Sequence, residues 1–231
     1  ETHRRNMPYC MGTLYWQFND CWPVISWSSI DYGGNWKALH YAARKFFSPL
    51  LVSIRDLDNK IEIHVINDQH HEVESEIRLG LFNFNGDTLF NDSSDIKVEP
   101  FSSVIYHAFD KDDLLGGSDP SAIIFRAELF VGGKVLSRAH QFFKRPKHLS
   151  IPSPEFDYEI ERVSGKYVIT VRSKSFLCQL HLISTKVRGV FSDNYFDMLP
   201  GEVQMIDFEP SENKELKKSE LRAVTLYEMM N

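Results

Sequence analysis

The chain has 231 residues, of which 42% are hydrophobic and 25% are charged, the balance of a folded globular protein with material for one large or two modest domains. Its formal net charge of −6 argues against a partner that is nucleic acid or a membrane surface, because such partners require clustered lysine and arginine. No apolar run of the sequence approaches the roughly 20 residues of a membrane-spanning helix.

The first predicted elements are a strand and a helix. Side chains of Thr13–Phe18 alternate between two faces, which predicts a strand. Apolar residues then recur at helical spacing before Pro49 and predict an amphipathic helix with one buried face, formed by Trp36, Leu39, Ala43, Phe46 and Phe47. A strand followed by a helix is a βα unit, which needs sheet neighbours on both edges. We therefore expect residues 1–48 to be the end of a larger α/β domain.

After Pro49 the helical period ends, and short alternating runs separated by turn residues follow. About seven such runs over about a hundred residues are typical of an immunoglobulin-like β-sandwich. Prolines 146, 152 and 154 then indicate an extended linker. Further alternating runs, among them a hairpin around Ser164-Gly165-Lys166, predict a second and smaller sandwich. The predicted fold class is therefore mainly β.

Three of the four tryptophans lie within Gly12–Trp27, beside asparagine, glutamine and aspartate. Flat aromatic faces next to such groups suit a sugar, whose C–H groups stack on indole while its hydroxyls form hydrogen bonds. In a (β/α)8 barrel the active site lies at the carboxyl ends of the strands, which here is the stretch from Trp16 to Trp22. The alternative interpretation is that these aromatic side chains belong to a core at the edge of a sheet.

Two stretches resemble β-mannosidases of glycoside hydrolase family two. The last strand and helix of the family's catalytic TIM barrel resemble Met11–Phe47, MGTLYWQFNDCWPVISWSSIDYGGNWKALHYAARKFF. The signature of the family's terminal immunoglobulin-like domain resembles Phe191–Glu202, FSDNYFDMLPGE. The resemblance covers the whole chain and implies three regions: the end of the barrel at 1–48, an immunoglobulin-like sandwich at 49–147 and a terminal sandwich at 148–231.

The resemblance also implies a function and a set of site residues. Such enzymes remove terminal, non-reducing β-D-mannose from oligosaccharides with retention and without a metal or cofactor. Trp16 matches the barrel-end tryptophan that lines the sugar subsite, where it would form a platform under the mannose ring. Asn19, Asp20 and Trp22 lie in the loop that borders this subsite and are secondary substrate-binding candidates. The resemblance further implies a cis peptide bond between Trp16 and Gln17.

The catalytic pair of the family is not found in this sequence. A retaining glycosidase needs two carboxyl groups about 5–5.5 Å apart, and the family uses two glutamates on earlier barrel strands, one of them in an Asn-Glu pair. No Asn-Glu dipeptide occurs here, and residues 1–48 contain only Glu1, Asp20 and Asp31 as carboxylates. We therefore expect the nucleophile and the acid/base to lie in a missing barrel part of the same polypeptide, and this chain alone to be inactive.

Two other functions fit the sequence. The chain fits a non-catalytic carbohydrate-binding or adhesive module, with Phe191–Glu202 near a ligand groove. It also fits another family-two exo-glycosidase, one that acts on galactose, glucuronic acid or glucosamine.

The cysteines have neither disulfide nor metal-ligand spacing, and we expect Cys10, Cys21 and Cys178 to be small buried hydrophobic residues.

Overall fold

The structure is a computed structural model that describes residues 1–230. Its backbone forms two compact units. Of the described residues, the first unit consists of 1–14, 43–83 and 87–150, and the second of 15–42, 84–86 and 151–230. Helix α1 (Thr2–Arg5) belongs to the first unit, and helix α2 (Ala38–Phe46) continues from the second into the first. Within the described chain, every helix is too short to cross a membrane.

The first unit is a sandwich of two antiparallel sheets. Its elements are β1 (Leu50–Asp56), β2 (Lys60–Asn67), β3 (Val73–Asn83), β4 (Thr88–Val98), β5 (Ser102–Asp110), α3 (Lys111–Leu115), β6 (Ile123–Val131) and β7 (Lys134–Gln141). One sheet has the order β1-β2-β5 and the other β4-β3-β6-β7. Alternating side chains from both sheets, among them Ile63, Ile77 and Phe125, are fully buried between them.

Residues 1–12 cover part of the first sandwich. Seven of the eight residues of β2 are buried, although one face of an outer sheet ordinarily meets water. Met7 packs with Leu51 and Ile66 in a small separate cluster. Buried Arg4 donates to the carbonyl oxygens of Phe46 and Ser48 at 2.6 and 2.8 Å. The amino-terminal segment is thus part of this unit's packing.

The second unit contains a second sandwich. Its elements are β8 (Phe156–Val163), β9 (Lys166–Ser173), β10 (Leu177–Ser184), β11 (Gly189–Phe191), β12 (Phe196–Met198), β13 (Val203–Pro210), β14 (Leu221–Val224) and α4 (Leu226–Met230). The sheets have the orders β11-β13-β9-β8 and β12-β10-β14. Ile169, Leu180 and Phe208 are fully buried between them. Tyr41 of α2, 4% exposed, completes the same core.

The predicted mainly β fold with two immunoglobulin-like sandwiches is confirmed. The strand predicted at Thr13–Phe18 is wrong for this chain, because the described part of the chain has no strand before Leu50. Here only isolated bridges occur, a parallel one from Asn19 to Ile30 and an antiparallel one from Ile30 to Trp36. A barrel strand needs a pairing partner along each edge, which residues 1–48 do not supply. The barrel end and the predicted boundaries of the three regions stay predictions.

The predicted helix is present as α2, with a changed buried face. Ala43 is buried as expected, whereas Phe47 is 41% exposed because the helix ends at Phe46. Trp36 precedes the helix and is partly buried against the second core. Tyr41, which the predicted face omitted, is the helix residue that reaches that core.

The expectation of three buried cysteines holds for one. Cys178 is buried, Cys10 is partly exposed and Cys21 is exposed. Cys178 lies on the core strand β10, whereas the other two lie in the irregular segment before α2. A small apolar side chain is buried only where an element carries it into a core.

Candidate functional site

The aromatic segment between residues 15 and 42 is held by backbone hydrogen bonds. Phe18 O accepts from the amides of Ser29 and Ile30 at 3.1 and 3.0 Å. The Asp20 amide donates to Ile30 O at 3.0 Å, and the Lys37 amide donates to Ser29 O at 2.9 Å. These bonds place residues 18–20 beside residues 29–30 and tie both to the start of the helical region.

Ser29 is the side-chain centre of this frame. It is fully buried, and its hydroxyl donates to Phe18 O at 2.8 Å. Tyr15 OH and His40 Nδ1 lie 3.0 and 3.1 Å from the same oxygen. A hydroxyl has one proton and two lone pairs, so Tyr15 and the His40 Nδ1–H are the donors to Ser29. The buried hydroxyl is thereby fully satisfied.

Asp20, predicted as a substrate-binding residue, lies inside the frame. It is 6% exposed. One carboxylate oxygen accepts from Ser26 Oγ and the other lies 3.0 Å from Lys37 Nζ. Lys37 also donates to Ser28 Oγ at 2.7 Å. The Ser26 hydrogen bond, aided by Lys37, keeps the pKa of the Asp20 carboxyl below its usual range. The carboxylate is therefore ionised and bound within the segment.

Three of the four tryptophans of the segment are exposed, unlike its polar centre. Trp16, Trp22 and Trp27 are 76%, 64% and 68% exposed. A cavity of about 210 Å³ is formed by residues 17–27, and its lining includes Asp20, Trp22 and Trp27. Exposed indole faces of this kind can stack against the C–H groups of a sugar ring.

The predicted site residues thus occupy two different environments. Trp22 and Asp20 line the cavity, whereas Trp16 and Asn19 lie outside its lining. Asn19 is exposed, and its Nδ2 donates to the Asp20 carbonyl oxygen at 3.2 Å. The Trp16–Gln17 peptide bond is cis, as the resemblance implied. The roles of the four residues toward a sugar stay predictions.

The three carboxylates of residues 1–48 each have a hydrogen-bond or ion-pair partner. Asp31 accepts from the Asn35 amide at 2.8 Å and from its side chain at 2.9 Å, and so closes the turn before α2. Asp20 is bound to Lys37. The remaining early carboxylate, Glu1, accepts from Ser53 Oγ in the first unit. A retaining glycosidase needs two carboxyl groups about 5–5.5 Å apart, and the expectation that this chain lacks them stays a prediction.

The polar residues of Phe191–Glu202 serve the second sandwich itself. Asn194 accepts from the Leu182 amide at 2.8 Å and donates to the Leu182 carbonyl at 2.9 Å, as a neighbouring strand would. Asp197 accepts from the Gln179 amide at 2.8 Å, where β10 is irregular. Burial raises the pKa of the neighbouring Cys178 thiol, and Asp197 adds to this shift. These side chains satisfy backbone groups of β10, and the ligand groove of the adhesive-module alternative stays a prediction.

Sequence reasoning did not single out four residues of the site. Trp27, Ser29, Lys37 and His40 were outside the predicted set, although each lies within the Met11–Phe47 stretch. No sequence signal identifies Lys37, because the burial of Asp20, which makes this carboxylate need a cation, is seen only in the structure. No local pattern identifies Ser29, because its partners lie 11 to 14 residues away.

Two family models match the chain. A Mannosidase Ig/CBM-like domain matches residues 59–148, and an Ig-fold domain of mannosidases matches residues 151–229. Curated relatives are similar over most of the chain. Beta-mannosidase A of Aspergillus oryzae is 25% identical over 218 residues, 88% of this chain and 24% of the relative. Beta-mannosidase of Capra hircus is 28% identical over 223 residues, 91% of this chain and 25% of the relative. The chain therefore spans about a quarter of the length of these relatives.

Two solved structures are also similar to most of the chain. The crystal structure of beta-D-mannosidase from Dictyoglomus thermophilum matches with a TM-score of 0.85 and 26% identity, over 96% of this chain and 27% of that one. The exo-chitosanase CsxA of Amycolatopsis orientalis matches with a TM-score of 0.66 and 15% identity, over 94% of this chain and 31% of that one. At that identity the second likeness concerns the fold alone.

Proposed function

We propose, from the chain's membership of the β-mannosidases of glycoside hydrolase family two, that it is the carboxyl-terminal part of a retaining exo-β-mannosidase. The substrate of the whole enzyme is terminal, non-reducing β-D-mannose on an oligosaccharide. Within it, this chain supplies one wall of the sugar subsite and two supporting immunoglobulin-like domains.

The proposal rests on a difference in solvent exposure between the polar centre of the aromatic segment and three of its tryptophans. Its polar centre at Ser29 is fully buried and fully hydrogen-bonded, whereas Trp16, Trp22 and Trp27 are each more than half exposed. Large aromatic side chains ordinarily bury their surface. Three of them held outward on a fixed frame favour a surface that a ligand or the rest of a barrel covers.

The proposal divides binding from bond cleavage. A retaining mechanism needs a nucleophile and an acid/base about 5–5.5 Å apart. Asp20 and Asp31, the carboxylates of the segment, are both bound within it. We therefore assign the cleavage to two glutamates in the remainder of a TIM barrel, in a longer polypeptide that contains this chain. Trp16 then forms the platform beneath the mannose ring, with Asn19, Asp20 and Trp22 at its border.

Release of p-nitrophenol from p-nitrophenyl β-D-mannoside tests this function. The longer polypeptide is expected to turn over the β-mannoside, and the purified 231-residue chain is expected to show none, because it lacks the carboxylate pair. Sustained turnover by the 231-residue chain would contradict the assignment of the site. Turnover by the longer polypeptide of only the β-glucosaminide or β-galactoside would replace the mannosidase with a sibling exo-glycosidase.

A non-catalytic carbohydrate-binding module is the second candidate. The matching domain is itself described as carbohydrate-binding-module-like, and the exposed tryptophans suit stacking on a sugar. Calorimetric titration of the 231-residue chain with β-mannotriose separates the two. One wall of a pocket leaves most of a sugar in water, so the enzyme proposal expects a Kd weaker than about 1 mM. Micromolar binding by this chain alone would favour the module.

A further inference from the structure

Helix α2 contacts the second sandwich through Tyr41. The Tyr41 ring lies 5.9 Å, centroid to centroid, from the ring of Tyr195, and the two planes are tilted by 50°. Tyr195 belongs to the Phe191–Glu202 stretch, in which Asn194 and Asp197 bind the backbone of the sandwich. This tyrosine connects the stretch to the aromatic segment.

Tyr195 is itself held in place. Its ring stacks on His181 at 4.2 Å with an interplanar angle of 21°, and its hydroxyl lies 2.9 Å from His181 Nε2. Its amide donates to Asn194 Oδ1 at 3.2 Å. Burial lowers the pKa of His181 and raises the pKa of Tyr195, so both side chains are neutral near pH 7. The position of the Tyr195 ring is thus fixed by its face, its hydroxyl and its backbone.

From Tyr41 the contacts continue through α2 into the aromatic segment. Trp36 lies 5.4 Å from Tyr41 and 4.3 Å from His40, measured between ring centroids. The His40 ring contacts Phe18 edge-on at 5.8 Å, and its Nδ1 lies 3.1 Å from Ser29 Oγ. Ser29 donates to the carbonyl of Phe18, which follows Trp16 by two residues.

We propose that Tyr195 is a positioning residue for the candidate sugar platform. The terminal sandwich holds α2 through the Tyr195–Tyr41 contact, and α2 holds the backbone beside Trp16 through His40 and Ser29. Binding residues must be fixed to within about 0.5 Å by the groups behind them, and aromatic pairs supply such fixation because their rings are rigid. The inference deepens the proposed function and rests on it for the role of Trp16.

Amide hydrogen exchange of the 231-residue chain tests the structural half. Under native conditions, Tyr195→Leu is expected to speed exchange of the Asp20, Ser29 and Ile30 amides by on the order of 10-fold, because the contacts behind them loosen. Tyr195→Phe keeps the ring contact with Tyr41 and is expected to stay within about 2-fold of the unsubstituted chain.

Tyr167→Phe is the matched control. Tyr167 is buried in the same sandwich, and its hydroxyl accepts from the Leu216 amide at 2.9 Å. This substitution also weakens the sandwich but leaves the Tyr195–Tyr41 contact. Unchanged exchange in Tyr195→Leu would overturn the proposal, and so would equal acceleration in Tyr167→Phe, because the effect would then be a general loss of stability.

Kinetics of the longer polypeptide test the functional half. Tyr195→Leu is expected to lower kcat/KM for p-nitrophenyl β-D-mannoside about 10-fold, mainly through kcat, with near-normal values for Tyr195→Phe and Tyr167→Phe. Faster exchange with unchanged kinetics would overturn the positioning role. If neither the unsubstituted enzyme nor any of its variants cleaves the mannoside, the proposed function is wrong. The exchange data then still decide whether Tyr195 holds the segment.

Discussion

Lys37 Nζ lies 3.0 Å from Asp20 Oδ2, and the two side chains form an ion pair within the aromatic segment. The Asp20 side chain is 2% exposed and that of Lys37 is 30% exposed. A buried carboxylate needs such a partner. Asp20, which the sequence analysis predicts as a secondary substrate-binding residue, therefore stabilises the segment. Its ionisation couples the stability of the segment to pH.

The first prediction concerns Asp20→Asn and acid stability. The folded-state pKa of Asp20 is lowered, so its carboxylate stabilises the fold above its unfolded pKa of about 3.9. This contribution is lost as pH falls from about 5 through the lower folded pKa. Thermal unfolding followed between pH 3 and pH 7 should therefore show the Tm gap between the unsubstituted chain and Asp20→Asn closing as pH falls.

Exposed Asp95 supplies the control for that experiment. Asp95→Asn should leave the Tm close to that of the unsubstituted chain at each pH, because surface substitutions change stability by about 0.5 kcal/mol or less. A Tm gap for Asp20→Asn that is constant from pH 3 to pH 7 would argue against the ionised Asp20–Lys37 pair.

The second prediction concerns Ser29→Ala. This change removes the buried hydroxyl that accepts from Tyr15 and His40 and that donates one of the hydrogen bonds to the Phe18 carbonyl, which keeps those from the Ser29 and Ile30 amides. Removing a buried hydrogen-bond partner costs about 1–3 kcal/mol. Urea unfolding followed by tryptophan fluorescence measures this loss in the relevant place, because all four tryptophans lie between residues 15 and 42. Exposed Ser211→Ala should shift the midpoint little, and an equally small shift for Ser29→Ala would refute the assigned hydrogen bonds.

The third prediction concerns Arg4 in the first unit. Its guanidinium donates to the carbonyl oxygens of Phe46 and Ser48 at the end of α2 and to Asp68 Oδ2 at 2.7 Å. Arg4→Met should lower the free energy of unfolding by about 1.5–3 kcal/mol, since hydrogen bonds to charged groups are lost. Urea unfolding followed by circular dichroism checks this, with exposed Arg145→Met as the matched control. Equal midpoints for the two variants would show that Arg4 does not fix the amino-terminal segment.

The fourth prediction concerns the proposed sugar platform. In the longer polypeptide, Trp16→Ala should lower kcat/KM for p-nitrophenyl β-D-mannoside by on the order of 10²-fold, if stacking holds the ring in its transition-state geometry. Tyr32 is also an exposed aromatic residue, at 59%, but it lies in the turn before α2, and Tyr32→Ala should have kinetics near those of the unsubstituted enzyme. Similar losses for both variants would remove the specific role of Trp16.

The sequence alone determined the two sandwiches, because their signal is local. A strand with one buried face alternates every second residue, as in Tyr167, Ile169 and Val171 on β9, which are all buried. Turn residues likewise mark the hairpin at Ser164 and Gly165, both of which have positive φ. The strand predicted at Thr13–Phe18 was wrong for the same reason. The local alternation is present there, but the neighbouring strands of a sheet are not.

Only the tertiary structure decided which residues form the site's frame. Asp20 resembles any polar loop residue in the sequence, and its burial follows from Lys37, 17 positions later. Tyr41 lies outside the predicted helical face, and its burial follows from a core formed by strands more than a hundred residues further on. Periodicity reports which side of an element is apolar, but hydrogen-bond partners and core neighbours at long separation arise from packing, so no local pattern records them.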